Sequence, residues 1–373
     1  MNSDVVADRD EAAPAVSGGG EESGDRFARL RQQLGFGNIG AVYIFAVVVI
    51  VFSIWAPDTF PTWTTAKTVI NQNAVAGIIA LSLVVPLSAG VFDLSIGAVM
   101  GLTSLFCAWL MVKHGVGLAP AIALTILLGV FLGIVNATLV VVVGIESFIA
   151  TLATGSLMTA AIALIAKYES ITGPALSAHS FSNIATTSVI AGISSAAVIM
   201  FAVSIALWVF QERTAAGRRM LATGFNAAAA RLTGVRTNRL QFVGLMISAT
   251  VAAIAGVLIT STLQAGQPEV GQPYLLGAFA AVFLGATQFK GGRFNAWGTL
   301  LAVLVLGTGT AGLVLVGAEP WAAEMFVGMV LLGSLGLAAY ERARGTRRLV
   351  SQSRRRNRKR AAEKSAAEGG ATA

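Results

Sequence analysis

Reactive side chains are scarce in this sequence. Its 373 residues include one cysteine and two histidines. Cys107 has no partner for an internal disulfide, and its apolar neighbourhood suits a small packing residue. His114 and His179 do not combine with it in a metal-ligand pattern. No lysine follows a glycine, so the phosphate-cradling G-x-x-x-x-G-K-[ST] loop is missing. No catalytic residues, no metal and no cofactor are therefore expected in this chain. Charge is scarce as well: 12% of residues are charged, against about 25% in an ordinary soluble domain.

What the chain has instead is hydrocarbon. Hydrophobic residues make up 55% of it, in apolar runs near the ~20 residues a helix needs to cross a bilayer. A soluble core cannot hide so many all-apolar segments, whereas lipid accepts apolar surface on every side. The alternating ten-residue segments of a membrane barrel are absent. The expected fold class is all-α: a polytopic integral membrane protein of about ten transmembrane helices, some broken or short. Spans are expected at 39–56, 69–89, 94–112, 118–143, 147–166, 188–210, 241–262, 274–289, 297–316 and 321–340. Residues 275–287 are short enough that a re-entrant segment competes with a crossing.

The net charge of +8 is unevenly placed. Basic residues crowd into Arg342–Arg360, with Arg213, Arg218, Arg219, Arg231, Arg236 and Arg239 in 211–240 and Arg26, Arg29 and Arg31 before the first span. Basic residues beside spans hold loops in the cytoplasm and touch anionic lipid, which is favoured here over nucleic-acid binding. Ten crossings put all three groups, with Lys290 and Arg293, on one side. Both termini are then cytoplasmic. The expected organisation is a disordered tail over 1–37, acidic then basic, a membrane domain over 38–341, and a basic disordered tail over 342–373.

Polar residues stand out against this background. In "GVFDLSIGAVMGL" (90–102), Asp93 interrupts the apolar region 74–112. A charge at a helix centre costs about 2.5–3.5 kcal/mol on insertion scales. Asp93 therefore reads as a cap on the helix that follows, accepting from the N–H of Ser95 or Ile96, with Gly90 permitting the sharp turn before it. Whether it is a structural cap only or also shapes a pathway stays open. Asn71, Gln72, Asn73, Asn136, Thr151, Thr154, Gln264 and Gln288 are further buried polar candidates. Amides and hydroxyls suit a neutral, hydroxyl-rich solute, and interhelical hydrogen bonding is the alternative for each. An ion-coupled pump would carry more intramembrane carboxylates. In the 211–240 loop, Asn226 is a candidate N-cap and Gly234 a candidate stop for a short helix over "NAAAARL".

Several motifs together resemble the membrane permease subunit of carbohydrate ATP-binding-cassette importers of the ribose/xylose/galactose type. "GVFDLSIGAVMGL" is similar to that family's G-G-I-D-L-S-V-G segment, "GVFLGIVNATLV" to G-x-x-x-G-x-x-N-G, and "SFIATLATGSLM" to P-F-I-x-T-L-G-T. "TAAGRRMLATGFNAAAARLTGV" resembles its cytoplasmic segment, and "AAVFLGATQFKGGRFNAWGTLLAVLVLG" its A-A-x-x-x-G-G-T-x-x-x-G-G-x-G segment. The likeness runs from about residue 70 to residue 340.

The resemblance implies a multi-pass protein of the cell (inner or plasma) membrane, working with a second permease copy or paralogue. It implies separate ATPase subunits, which bind ATP and Mg, and an extracytoplasmic binding protein that delivers a monosaccharide. It assigns ATPase coupling to Gly217, Arg218, Gly224, Asn226, Ala229, Ala230 and Gly234. The candidates for the substrate pathway are Asn71, Asn73, Asp93, Ser95, Asn136, Thr151 and Thr154. The chain departs from the family at Ala228, where an acid is usual, at Phe294, and at Thr310, Ala311 and Val314, which replace asparagines. The last change makes any pathway there less polar. A nucleoside or another hydroxylated solute is the alternative cargo, and an ion-coupled secondary carrier or a non-transporting scaffold the alternative class.

Overall fold

The computed structural model describes residues 36–288 and 292–336. Arg26, Arg29, Arg31, Lys290 and the basic stretch Arg342–Arg360 lie outside the described residues. Helix follows helix along the chain: α1 (Phe36–Trp55), α2 (Trp63–Gln72), α3 (Ala74–Ser82), α4 (Val84–Ser88), α5 (Ile96–Lys113), α6 (Leu118–Ala137) and α7 (Ser147–Ala166). A short β1 (Ile171–Thr172), α8 (Pro174–Ser177), α9 (His179–Thr186), β2 (Ser188–Ile190) and β3 (Ile193–Ser194) precede α10 (Ser195–Trp208). Then come α11 (Ala215–Phe225), α12 (Ala227–Leu232), α13 (Thr237–Leu263), β4 (Ala265–Gly266), α14 (Gln272–Gln288), α15 (Ala296–Leu315) and α16 (Pro320–Gly336). Helices α6 and α10 each end in a wider π turn, over Thr138–Val143 and Val209–Arg213.

By length and apolarity six helices can cross a membrane: α5, α6 with its π turn, α7, α10 with its π turn, α13 and α15. A seventh is the pair formed by α2 with α3 and α4, bent by 44° at Asn73. At the bend the Val69 carbonyl accepts twice, from the Asn73 N–H at 3.2 Å and from the Asn73 side-chain amide at 2.8 Å, so a side chain crowds the backbone ladder there. The next break, at Leu83, precedes Pro86, which brings no N–H to the helix. The apolar stretches of α1 (Val42–Trp55), α14 (Gln272–Thr287) and α16 (Pro320–Gly336) are shorter.

Helix α13 runs through the middle, packed on α6, α5 and α3. Its approach to α6 depends on Gly129 and Gly133. A Cβ at Gly133 would lie 2.8 Å from the Met246 Cα, and one at Gly129 would overlap the Ala253 side chain. Small residues four apart let two membrane helices meet backbone to backbone. On the outside of the bundle, Leu127, Phe131, Leu157 and Leu164 are exposed, as lipid-facing residues are.

Two expectations are corrected. The span expected from residue 188 begins at Ser195. Residues 188–194 instead form the β2–β3 hairpin, closed by Ala191 and Gly192 at positive φ. Asn71 holds the hairpin, accepting from the Ser194 N–H at 2.8 Å and donating to the Gly192 carbonyl at 3.0 Å. Gln72 and Gln264, expected among the buried polar groups, are exposed, Gln264 where α13 ends in a left-handed turn; the side chain of Gln288 lies outside the described residues.

Candidate functional site

Three polar arrangements are built on this scaffold. The first is a closed network around the break before α5. Asp93 is fully buried, and its Oδ1 accepts from the Ser95 N–H at 3.0 Å and the Ser95 hydroxyl at 2.6 Å. Asn136 of α6 donates to the Ser95 hydroxyl at 2.8 Å, and its Oδ1 accepts from Thr154 of α7 at 2.6 Å. Two hydroxyls of α7 take the free N–H groups of the break: Thr151 from Leu94 at 3.0 Å and Ser147 from Phe92 at 3.1 Å. Asp93 Oδ2 and the Ser248 hydroxyl of α13 lie close together without a formed hydrogen bond. Asp93 is therefore not the cap expected of it: it fixes Ser95, which holds the N-cap position of α5 without capping it, and Ser95 in turn ties the start of the helix to α6 and, through Asn136, to α7. The helix itself starts at Ile96, later than expected.

The second is an open groove between α2 and α15, of about 420 Å³. Thr64, Thr65, Thr68, Gln72 and Asn73 line one side, with Thr310, Ala311 and Val314 on the other. No charged side chain lines it. Thr64, Thr68 and Gln72 are exposed on the surface of the chain. Their spacing of four places them on one face of α2 as a polar stripe.

The third is the 211–240 loop. Thr214 caps α11, accepting from the Gly217 N–H at 3.0 Å, and Asn226 caps α12, accepting from the Ala229 N–H at 3.0 Å. Gly234 ends α12 with φ +83°, and the Val235 N–H returns to the Ala230 carbonyl at 3.0 Å. The ends of both short helices are thus fixed by local chemistry. Ala230 is the buried residue of α12, while Arg218, Ala229, Phe225 and Leu232 are exposed.

The loop also touches the break. Gly224 lies against Gly90, with room for no side chain between them: a Cβ on Gly90 would sit 3.3 Å from the Gly224 Cα, and one on Gly224 would overlap the Ser88 carbonyl. Gly90 holds φ +77°, where glycine is favoured. Beside it, buried Gln211 donates to the Ser88 hydroxyl at 2.8 Å. Neither Ser88 nor Gln211 was singled out from the sequence. Both are short polar residues whose partner lies more than a hundred positions away, so local patterning does not disclose them.

The sequence candidates therefore separate. Asp93, Ser95, Asn136, Thr151 and Thr154 meet in the closed network, Asn73 lines the groove, and Asn71 pins the hairpin.

A family model described as "Branched-chain amino acid transport system / permease component" matches residues 65–335. The ribose import permease of Bacillus subtilis (strain 168) is 33% identical, covering 77% of this chain and 88% of its own length. The D-allose transport system permease of Escherichia coli (strain K12) is 29% identical over 80% of this chain and 89% of its own. The autoinducer 2 import system permease of Yersinia enterocolitica is 30% identical over 69% and 78%. No solved structure matches the chain. Matched over most of its length, and with sugar import permeases among its relatives, the chain belongs to this family of membrane permease components.

Proposed function

We propose that this chain is the membrane subunit of an ATP-binding-cassette importer that passes a neutral hydroxylated solute, a monosaccharide, across the cell membrane. The observation that carries the reading is the α2–α15 groove. Exposed hydroxyls and amides on a membrane helix are costly against lipid and cheap against water or protein. In this reading the exposed Thr64, Thr68 and Gln72 face a second permease copy across a watery path. Their uncharged donors and acceptors match a sugar, and the names of the ribose and allose relatives point the same way.

In this reading the chain crosses ten times with both ends in the cytoplasm. The hairpin side faces an extracytoplasmic binding protein, and the 211–240 loop docks a separate ATPase that binds ATP and Mg. Motion of α11 reaches the break at Gly90 through its contact with Gly224, and the Asp93 network carries it into α5, α6 and α7. In proteoliposomes holding the whole importer, Thr68→Leu and Thr310→Leu are expected to lower solute uptake at least about tenfold, with ATPase assembly and melting temperature unchanged. Wild-type uptake in both variants would refute the groove as the path.

A further inference from the structure

We propose that this chain carries a phosphate-binding site between α11 and the start of α13, occupied by the headgroup of an anionic phospholipid. A cavity of about 450 Å³ opens there, and Arg219, Arg236 and Arg239 line it together with Thr233, Gly234 and Leu240. No carboxylate is among the lining residues.

The nearby arginines are otherwise engaged. Arg218 reaches the Glu212 carbonyl oxygen at 3.4 Å, and Arg231 donates to the Thr237 hydroxyl at 2.8 Å. Arg213 lies 5.3 Å from the Trp208 ring centroid and Arg293 5.4 Å from that of Phe225. The guanidinium groups of the three arginines that line the cavity have no hydrogen bond or ion pair to any described residue; Arg219 and Arg236 bond within the chain through their carbonyl oxygens. Three like charges facing one space repel, and an anion between them turns that repulsion into attraction. Guanidinium forks match phosphate oxygens two at a time. Arg236 also occupies the N-cap position of α13 and offers no capping oxygen, so the positive end of a 27-residue helix adds to the field.

The helix length selects the source. Twenty-seven residues rise about 40 Å, against about 30 Å of hydrocarbon. Arg236 and Arg239 stand at its start and no charge at its end, so the excess falls at the first turns of α13, in the headgroup layer where phospholipid phosphate is abundant. A lipid held there ties α11 to α13 and steadies the loop between them.

The inference needs only the membrane placement of α13, and its test uses the permease alone, so its failure would leave the proposed transport function standing. The full chain is placed in nanodiscs of phosphatidylcholine with a minor share of phosphatidylglycerol, and retained lipid is counted by native mass spectrometry. A second arm titrates inorganic phosphate in phosphatidylcholine-only discs and follows the melting temperature. Preference for phosphatidylglycerol is expected to fall about fivefold in Arg219→Gln and about thirtyfold in the Arg236→Gln/Arg239→Gln double variant. Arg213→Gln, which removes the same charge outside the cavity, is expected to change it less than twofold. A phosphate response without lipid preference, lost in the double variant, would keep the anion site and assign it to free phosphate. Equal lipid preference and equal phosphate response in wild type and double variant would overturn the proposal. So would a double variant that keeps both and loses only the co-purifying ATPase, since the arginines would then serve a protein contact.

Discussion

Replacing Gly224 with alanine tests the path from the loop to the break most directly. The new Cβ would overlap the Ser88 carbonyl oxygen, with the Ser88 carbonyl carbon at 3.0 Å and the Gly90 nitrogen at 3.3 Å. All three are backbone atoms, so no rotamer change relieves the clash. Either α11 lifts away or the 88–90 turn moves. Overpacking of this kind costs about 1–3 kcal/mol. If α11 drives the break, that cost falls unequally on the two transport states and shifts their balance by roughly 5–150-fold. The assay is solute taken up per ATP hydrolysed, in proteoliposomes with the ATPase and binding protein. We expect the ratio to drop at least about fivefold, with the ATPase still co-purifying. Gln211→Met removes the neighbouring hydrogen bond to the Ser88 hydroxyl, from a buried position, and is expected to act in the same direction. Gly277→Ala is the control, because a Cβ there meets nothing within 4 Å. It should leave coupling unchanged and stabilise its helix by up to about 1 kcal/mol. A Gly224→Ala protein that melts lower yet transports with the normal ratio would show the contact to be packing alone.

Other perturbations reach the remaining parts. Asn136→Ala and Thr154→Ala, combined in a double-mutant cycle of thermal stability, should show a coupling of about 0.6–1.7 kcal/mol; energies that simply add would dissolve the network. Asn71→Ala should speed hydrogen exchange at the Ser194 amide about fivefold, and unchanged protection would place the hold on the hairpin elsewhere. Asn226→Ala removes the cap of α12 at a cost of about 1 kcal/mol and should lower uptake per ATP with insertion intact, whereas a normal ratio would detach that helix from coupling.

Local chemistry was legible in the sequence wherever one residue type needs a particular neighbour. A carboxylate in an apolar run needs donors, and Asp93 finds them two residues on. Asn226 and Gly234 bracket a helix whose ends they satisfy within a few positions. The membrane helices follow from the length of the apolar runs. The β2–β3 hairpin did not show itself, because Val189, Ile190 and Ile193 suit a strand and a membrane helix equally well. What decides between them is the bond from Asn71, on a helix far earlier in the chain.

The polar residues inside the spans were the hardest to sort, and the reason is physical. Asn73 and Asn136 have the same side chain and both fall within expected spans, so residue type alone gives them one meaning. The fold gives them two. Asn136 spends its amide on Ser95 and Thr154, in a network with no surface for a solute to reach. A site that passes a sugar must exchange hydrogen bonds with it and let go, and a closed network cannot do so without opening. Asn73 spends one N–H on its own helix and lines an open groove in which Thr64, Thr68 and Gln72 are exposed. The Asp93 network is therefore suited to holding helices in register, one turn away from the glycine that meets α11. The groove is suited to transient contact. Division of polar residues between a rigid joint and a soft path is what an externally driven transporter needs: the joint must transmit force without binding cargo, and the path must bind cargo without holding it.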